Sequence, residues 1–228
     1  MGRGIQIQTI VKINILYKDK DIIVIDKPAG IPVETKRIGE ADCESELKNN
    51  LVASGVKNPY LAVINRLDQP VRGVVLFALN KKSAAFLSKE LTDNHIDKLY
   101  KARVYGSFDI KEGTLTDYLF KESATNTSLV VKEGDKRFKD SKKAVLDYKE
   151  TSPGELDVKL ITGRHHQIRV QLANAGHPIL GDRKYGTKES AEEAEKKGID
   201  NICLMAYELD FNHPSTMERI LIKSEQNI

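Results

Sequence analysis

The sequence contains few of the residues that carry disulfide or soft-metal chemistry. It has two cysteines, Cys43 and Cys203, and no tryptophan in 228 residues. The two cysteines lie far apart and without the paired spacing of a zinc motif, so we expect neither a disulfide framework nor a metal site. A reducing, cytoplasmic environment fits this use of cysteine best.

Long apolar runs are missing as well. No stretch approaches the roughly 20 apolar residues that a membrane-spanning helix needs. The first four residues, Met1 to Gly4, are not followed by the apolar region of a signal peptide. We therefore expect no membrane association.

Several catalytic motifs are also absent. The sequence has no glycine-rich phosphate loop, no dinucleotide-binding fingerprint and no zinc-hydrolase motif. No serine stands in a nucleophile elbow. These absences predict a protein that binds no nucleotide cofactor through one of these motifs.

The composition is that of an ordinary globular protein. Apolar residues make up 40% and charged residues 30% of the chain, which suits a protein with a substantial core. The formal net charge of +3 is too small to identify a nucleic-acid-binding protein, so basic groups would have to cluster locally. The length allows one large domain or two small ones.

Apolar patterning predicts strands and helices in mixed order. Strands are expected at 21–26, 74–79, 99–105, 144–148, 156–161 and 202–211, the last as a strand or strand pair. Helices are expected near 45–53, after an N-cap at Asn80, and over 164–175 and 189–197. Residues 109–143 are interpreted as short strands and a long, mobile excursion.

No regular strand–helix–strand rhythm appears, so an α+β fold is favoured over a doubly wound one. No domain-sized linker interrupts the chain. We therefore predict a single domain over 1–228, with two lobes possible. Residues 1–13 and 218–228 are expected to be peripheral to it.

The segment 65–73 is a charged loop between two apolar runs. It contains Arg66, Asp68 and Arg72, and Pro70 and Gly73 mark a tight turn. Loops held between core elements often carry function. An alternative is that Arg66 and Asp68 form a structural ion pair within the turn.

A second candidate segment, residues 162–169, places Arg164, Gln167 and Arg169 at the expected start of a helix. Helix N-termini attract phosphate, and arginine adds forked donors. A solvated helix start is the alternative. Metal binding by His165 and His166 is disfavoured, because adjacent side chains on a helix point in different directions.

Two further segments carry polar groups. Lys98, Tyr100 and Arg103 could place cations and an aromatic ring beside a nucleic-acid strand, although a tyrosine at such a position, taken alone, is more often packed in the core. Residues 176–186 are rich in turn formers, which predicts only a loop with a demanding backbone.

Together these segments resemble the RluA-type family of RNA pseudouridine synthases. Five motifs match in the family's order: Ile23–Val33 with its K-P-x-G turn, Arg66-Leu67-Asp68 with Gly73, Lys98-Leu99-Tyr100, the long motif from Gly163 to Gly186, and the closing motif from Leu204 to Pro214. The resemblance implies the pseudouridine synthase catalytic fold. This is a central mixed, mostly antiparallel sheet flanked by helices and loops, with the active-site cleft across the sheet.

The resemblance also implies a cofactor-independent isomerase. Such an enzyme would cut the N-glycosidic bond of a uridine in rRNA or tRNA, rotate the base and rejoin it through carbon 5. Asp68 would be the essential carboxylate, either attacking the anomeric carbon or abstracting a neighbouring sugar proton. Tyr100 would stack on the flipped uracil and help remove the carbon 5 proton, and Arg169 would pair with Asp68.

The remaining site residues follow from the same resemblance. The expected substrate-binding residues are Arg66, Lys98, Arg164, Gln167 and Leu204, with no metal ligand. Basic groups that could hold the flanking phosphates are Lys27, Arg66, Arg72, Lys98 and Arg164. Base flipping costs a few kcal/mol, and stacking on an aromatic ring returns about 1–3 kcal/mol per base.

The sequence departs from the family pattern at Asn65, at Val71-Arg72, at Gln171 and at Met205. These departures leave substrate choice and RNA docking open. No separate RNA-binding domain is expected before Asp21, so we predict that the catalytic domain, including residues 109–143, selects the uridine.

Three classes of function are weighed. The leading hypothesis is an active RNA uridine isomerase that works as a monomer. An RNA-binding protein or chaperone of the same fold that has lost catalysis is the alternative. A hydrolase that uses Asp68 and a histidine has little support, because no histidine lies at a telling position in the sequence.

Overall fold

The computed structural model describes residues 12–37 and 39–228. Most of the predicted peripheral lead-in, residues 1–13, therefore lies outside the described residues. The strands of the described residues are β1 (Asn14–Lys18), β2 (Ile22–Lys27), β3 (Ala62–Val63), β4 (Arg72–Ala78), β5 (Asp97–Arg103), β6 (Glu112–Glu122), β7 (Thr127–Val131), β8 (Lys142–Ser152), β9 (Glu155–Leu160), β10 (Leu204–Asn212) and β11 (Arg219–Lys223). The α-helices are α1 (Cys43–Ala53), α2 (Lys81–Thr92), α3 (Gln167–Asn174) and α4 (Lys188–Lys196).

These strands join one sheet in the order β1-β2-β4-β10-β5-β9-β8-β6-β7, with β3 on β4 and β11 on β10. The pair β4–β10 is parallel, and the other strand pairs of the described residues are antiparallel. The predicted α+β fold with a mixed, mostly antiparallel sheet is therefore confirmed.

The central strands are buried on both faces, which explains their unbroken apolar runs. In β4, Val75 and Phe77 pack into one core while Val74 and Leu76 pack into the other. Alternate residues of a strand point to opposite faces, so one apolar strand supplies both layers.

The helices begin at caps that the sequence shows. The Asn80 side chain accepts a hydrogen bond from the backbone N–H of Ser83, which confirms it as the N-cap of α2. Asp42 accepts from the N–H of Ser45 in the same way at the start of α1. Such caps satisfy backbone donors that have no partner inside the helix.

The interpretation of residues 109–143 as short strands and a mobile excursion was wrong. β6 spans 11 residues and pairs with β8 along most of its length, and β7 pairs with β6. We call the pair β6–β7 the ribbon. It extends the main sheet at the edge beyond β8 and contacts α3.

The chain after 212 is more than the expected polar tail. β11 pairs with β10 over five residue pairs. Beyond it, the Ser224 hydroxyl and the Gln226 amide donate to the buried Asp26 carboxylate at the end of β2. Residues 218–228 are thus bound to the sheet rather than merely peripheral to it.

Candidate active site

Asp68 lies in the short loop between β3 and β4. The turn closes through a hydrogen bond from the Val71 N–H to the Asp68 carbonyl at 3.0 Å. Two further bonds fix the loop to the turn after β2: the Gly30 N–H donates to the Gln69 carbonyl, and the Gln69 amide donates back to the Gly30 carbonyl. The Asp68 side chain remains 25% exposed.

Lys27 lies beneath this loop and holds it together. Its ammonium donates to three carbonyl oxygens, those of Pro28, Ile31 and Gln69, and the side chain is fully buried. Burial lowers the pKa of Lys27 to about 8, and the charges of Cys43 and Asp68 oppose that shift. With all three donors used, Lys27 cannot hold an RNA phosphate, so that expectation was wrong.

Arg169 on α3 donates from Nη1 to Asp68 Oδ2 at 3.0 Å, across 101 positions of sequence. Its other two nitrogens, Nε and Nη2, bind the two oxygens of Asp182 at 2.8 and 2.7 Å. The ion pair between Asp68 and Arg169 that the resemblance implies is therefore present. Asp182, interpreted from sequence only as part of a turn, is fully buried beneath it.

The guanidinium of Arg169 stays charged in this position. Burial acts to lower its pKa, but the hydrogen bonds and charges of Asp182 and Asp68 outweigh burial and raise it. A charged, two-armed arginine fixes the direction of a carboxylate as well as its charge.

His166 is a site residue that the sequence reasoning missed. Its Nε2 lies 3.6 Å from Asp68 Oδ2, and the ring is buried. The ring is stacked on that of His165 with a centroid distance of 3.7 Å. The sequence analysis found no histidine placed to act with Asp68, and that interpretation was wrong. The backbone conformation that directs His166 toward Asp68 cannot be predicted from the spacing of residues in the sequence.

Tyr100 on β5 is buried in the main core, in register with Ala206 of β10 and Val158 of β9. Burial raises its pKa, and the charge of Asp68 raises it further, so the hydroxyl remains protonated at neutral pH. Leu204 is buried beside it in the same core and pairs with Ala102 of β5. Both expected pocket residues are thus buried in the same core, on the neighbouring strands β5 and β10.

Comparison with known proteins assigns this site to a family. The family model for RNA pseudouridylate synthase matches residues 21–174, which carry Asp68, Tyr100 and Arg169. The chain belongs to the RNA pseudouridylate synthase family. The resemblance seen in the sequence is thereby confirmed, and so is an RNA isomerase activity.

Two curated relatives and one solved structure show the extent of the likeness. The synthase is 31% identical to tRNA pseudouridine synthase C of Haemophilus ducreyi, an alignment that covers 93% of this chain and 90% of the relative. It is 27% identical to ribosomal large subunit pseudouridine synthase C of the same organism, covering 92% of this chain and 64% of the relative. Human RNA Pseudouridylate Synthase Domain Containing 1 shares the fold, with a TM-score of 0.74 and 21% identity over 99% of this chain and 86% of that one.

The synthase does not use Arg66 as an internal partner of Asp68. The Arg66 side chain is 73% exposed and its nearest acidic partner is Glu34, at 3.1 Å. The alternative interpretation, a turn ion pair between Arg66 and Asp68, is therefore wrong. Arg164 is exposed as well and donates from Nε to the Lys143 carbonyl. The two arginines remain open to a phosphate.

Lys98 and Tyr100 lie on the same face of β5, because they are two residues apart in a strand. Lys98 is buried, and burial lowers its pKa. Within residues 12–37 and 39–228, its ammonium has no hydrogen bond or ion pair. A buried cation of this kind is suited to bind an anionic or carbonyl oxygen of a ligand.

Gln167, predicted to bind substrate, has a different position. Its Oε1 accepts from the Thr162 hydroxyl and the Arg164 N–H, and its Nε2 donates to the Val145 carbonyl. The side-chain amide is buried, and both its oxygen and its nitrogen already have hydrogen-bond partners within the protein, which argues against direct contact with the substrate. Gln167 instead joins the start of α3 to β8.

Most of the residues that depart from the family pattern have a structural role. Asn65 accepts from the Leu76 N–H and donates to the Val74 carbonyl, and Gln171 donates to the Leu115 carbonyl and the Asp117 carboxylate. Val71 and Met205 are buried. Arg72, which is partly exposed, is the one departure among these positions with a charge that could face RNA.

One group of potential metal ligands exists among the described residues: Asp19, Asp21 and His213, with ligand atoms within 4.8 Å of one another. His213 Nε2 lies 2.7 Å from Asp19 Oδ2, and its Nδ1 accepts the N–H groups of Ser215 and Thr216. Both ring nitrogens are thus engaged. This arrangement fits a hydrogen-bonded clasp between β1, β2 and β10 better than a metal centre.

None of the helices within the described part of the chain is long and apolar enough to cross a membrane.

Proposed function

We propose that this synthase isomerises a specific uridine in structured rRNA or tRNA and that Asp68 is its essential carboxylate. The observation that carries the proposal is the Asp68–Arg169 ion pair, with Arg169 itself held by the buried Asp182. This arrangement keeps one oxygen, Oδ2, in a fixed place.

The other oxygen of Asp68 is left for the substrate. Both Arg169 and His166 face Oδ2, and Oδ1 has no hydrogen-bond partner within the described residues. An oriented carboxylate with one free oxygen can attack an anomeric carbon or take a proton from the sugar. The geometry supports either step.

Tyr100 fits the role of a stacking surface for the flipped uracil. It lies near enough to Asp68 for that charge to add to the effect of burial in raising its pKa. Because its hydroxyl stays protonated, Tyr100 is poorly suited to act as the base that removes the carbon 5 proton. Stacking, worth about 1–3 kcal/mol per base, is the role we assign to it.

The RNA strand would be held by the basic groups around the cleft. Arg66 and Arg164 are exposed, and Lys98 lies two residues before Tyr100 on β5. Basic side chains that meet the RNA locally attract phosphate even when the net charge is only +3. The complete site favours an active isomerase over an RNA-binding protein that has lost catalysis.

Tritium release from RNA that carries uridine tritiated at carbon 5 tests this proposal. We expect release with the wild type and none with Asp68→Asn, which should fold and still bind RNA. His95→Gln, a change of an exposed histidine that follows the end of α2, is the matched control and should be as active as the wild type. Release by Asp68→Asn at the wild-type rate would contradict the role of Asp68.

The choice of RNA is tested in the same assay with tRNA and rRNA transcripts offered separately. We propose that the ribbon contributes to this choice, because it carries the exposed Tyr118, which contacts Phe138 at a centroid distance of 4.7 Å. Removing the ribbon would disturb the site through Ser128, so point changes are needed. Tyr118→Ala should alter which uridine is modified, and an unchanged modification profile would reject this role.

We further propose a single catalytic domain that acts as a monomer in the cytoplasm. The support is the continuity of the sheet, to which all strands of residues 12–37 and 39–228 belong. Light scattering of the purified protein checks the monomer, and a single unfolding transition is the expected sign of one domain.

A further inference from the structure

A chain of polar contacts runs from the ribbon to Asp68. The backbone N–H of Ser128 on β7 donates to the Tyr185 hydroxyl at 2.8 Å. That hydroxyl lies 2.7 Å from His166 Nδ1, and His166 Nε2 lies 3.6 Å from Asp68 Oδ2. None of these residues except Asp68 has a place in the function proposed above.

One assignment of donors and acceptors matches every group along this chain. The Tyr185 oxygen accepts from the Ser128 N–H, which leaves its own proton for His166 Nδ1, and the Asp68 carboxylate, which can only accept, matches a proton on Nε2. A neutral imidazole that accepts at Nδ1 carries its proton on Nε2. The Nε2–H of His166 therefore faces Asp68.

The imidazole is also kept neutral. Burial lowers the pKa of His166 to about 4, more than the charge of Asp68 raises it. His166 thus presents a dipole, not a second full charge, beside Oδ2. A second cation there would stabilise the resting carboxylate and make it a weaker nucleophile or base.

The backbone of His166 is held in an unusual conformation to achieve this. Its φ and ψ of 54° and 26° lie in the left-handed region, which few residues other than glycine adopt. His166 is also the residue before α3, and its own side chain makes no capping hydrogen bond. Local backbone strain of this kind is found most often at functional sites.

We infer that His166 is a positioning residue for the isomerisation: held by Tyr185, it directs a neutral N–H at Asp68 Oδ2 and so turns Oδ1 toward the sugar. The inference rests on the proposed role of Asp68. The present 3.6 Å separation is longer than a hydrogen bond, and a movement of about 0.6 Å would make one. Binding of the nucleotide would supply that movement.

Ser128 extends the effect to the ribbon. Besides its N–H, its hydroxyl donates to the His165 carbonyl at 2.8 Å and lies 2.9 Å from His165 Nδ1. In the ribbon, Ser128 pairs with Lys121 of β6. RNA contacts on the ribbon would therefore be transmitted to Asp68 through Tyr185 and His166.

Two substitutions of His166 distinguish the effect of its N–H donor from the effect of its left-handed backbone. Gln places an N–H₂ group close to the position of Nε2, whereas Asn tolerates the left-handed backbone better but is too short to reach Asp68. We expect single-turnover rates roughly 10- to 100-fold below wild type for His166→Asn and a smaller loss for His166→Gln, with RNA affinity changed less than about twofold in both.

Tyr185→Phe removes the group that sets the proton position on His166 and leaves the His166 backbone unaltered. We expect a loss of single-turnover rate roughly as large as that of His166→Asn, again with RNA affinity nearly unchanged. Tyr60→Phe, a change of an exposed tyrosine, is its control and should match the wild type. Circular dichroism and thermal unfolding show whether each variant is folded.

Two outcomes would overturn the inference. The first is that folded His166→Asn and Tyr185→Phe variants have the same single-turnover rate as the wild type. The other is a higher rate in His166→Asn than in His166→Gln, since the left-handed backbone would then be all that matters. Asp68→Asn in the same assay keeps the two proposals apart: its activity refutes the role of Asp68, whereas its inactivity beside active His166 and Tyr185 variants refutes only the positioning role.

Discussion

Arg169 and Asp182 form a two-armed ion pair that lies directly beneath Asp68. Two of the three guanidinium nitrogens of Arg169 are taken by Asp182, so only Nη1 is left to bind Asp68. The buried aspartate thus determines where the arginine can direct its remaining N–H. The same Asp182 Oδ1 also accepts the N–H groups of Lys184 and Tyr185.

We predict that Asp182→Asn is damaging to both stability and activity. Asparagine offers one acceptor where the carboxylate offers two, so one buried guanidinium N–H of Arg169 loses its partner, which should lower the free energy of unfolding by about 1–3 kcal/mol. Tritium release should fall, because Arg169 is no longer held. Urea unfolding measures the first effect, with Asp109→Asn at an exposed position as the control. An unchanged midpoint would show that Asp182 does not hold Arg169.

Lys27→Met should also destabilise the protein. The substitution removes the donor shared by the carbonyls of Pro28, Ile31 and Gln69, so that the first two lose their hydrogen-bond partner and the Gln69 carbonyl keeps only the Gly30 N–H. We expect a decrease of about 2–4 kcal/mol in the free energy of unfolding. Activity should fall too, because Gln69 follows Asp68 in the loop. Lys57→Met, at an exposed lysine, provides the comparison; equal stability of the two variants would contradict this account.

The lowered pKa of His166 predicts that the stability of the protein decreases at acidic pH. Its pKa is about 4 in the folded protein against an ordinary 6.5, so below pH 6.5 the unfolded chain binds a proton that the folded protein does not. Stability from this group is complete above pH 6.5 and is lost as the pH falls toward 4. The loss should reach about 3 kcal/mol near pH 4.

The measurement is urea unfolding of the wild type and of His166→Asn between pH 4 and 7.5. Other groups titrate in both proteins, so the difference between the two curves isolates His166. The wild type should lose more stability on acidification than the variant. Parallel curves would mean that His166 does not stay neutral when folded.

Gly73→Ala should prevent normal folding. Gly73 has a φ of +118°, and a Cβ there would lie 2.1 Å from the Ala206 carbonyl oxygen. This is the point where β4 and β10 pair in parallel. We expect a cost of at least about 3 kcal/mol, since backbone would have to move on both strands.

Gly176→Ala is the matched control, because Gly176 has a φ of +86° with nothing within 4 Å of the added Cβ. The Gly176→Ala variant should lose only the free energy that an alanine costs in the left-handed backbone conformation, about 1 kcal/mol. Equal losses in Gly73→Ala and Gly176→Ala would show that the contact with Ala206 is unimportant.

The sequence predicts those parts of the fold that a strong local pattern determines. β2 and β4 have continuous apolar runs because both faces are covered, and Asn80 caps α2 through its own side chain. The ribbon was misinterpreted for the opposite reason. β6 is half exposed along most of its length, so charged and apolar residues do not separate into two clear faces.

The candidate site, too, could be predicted from the sequence only in part. Asp68, Tyr100 and Arg169 could be named from motifs, but their roles came only from the resemblance, because residues 101 positions apart give no local signal of contact. His166 was missed since its left-handed backbone turns it away from the helix geometry assumed for it. Gln167 was misassigned because a buried and an exposed glutamine look alike in a sequence.

The position of β10 has a consequence for synthesis of the protein. It joins β4 on one side to β5 on the other, yet it begins at Leu204, well after both of them in the sequence. Until that segment leaves the ribosome, the two halves of the sheet have no common strand and the edges of β4 and β5 stay open to other chains. A growing polypeptide that already carries both Asp68 and Arg169 therefore still depends on β10 to join the two halves of the sheet and protect their edges.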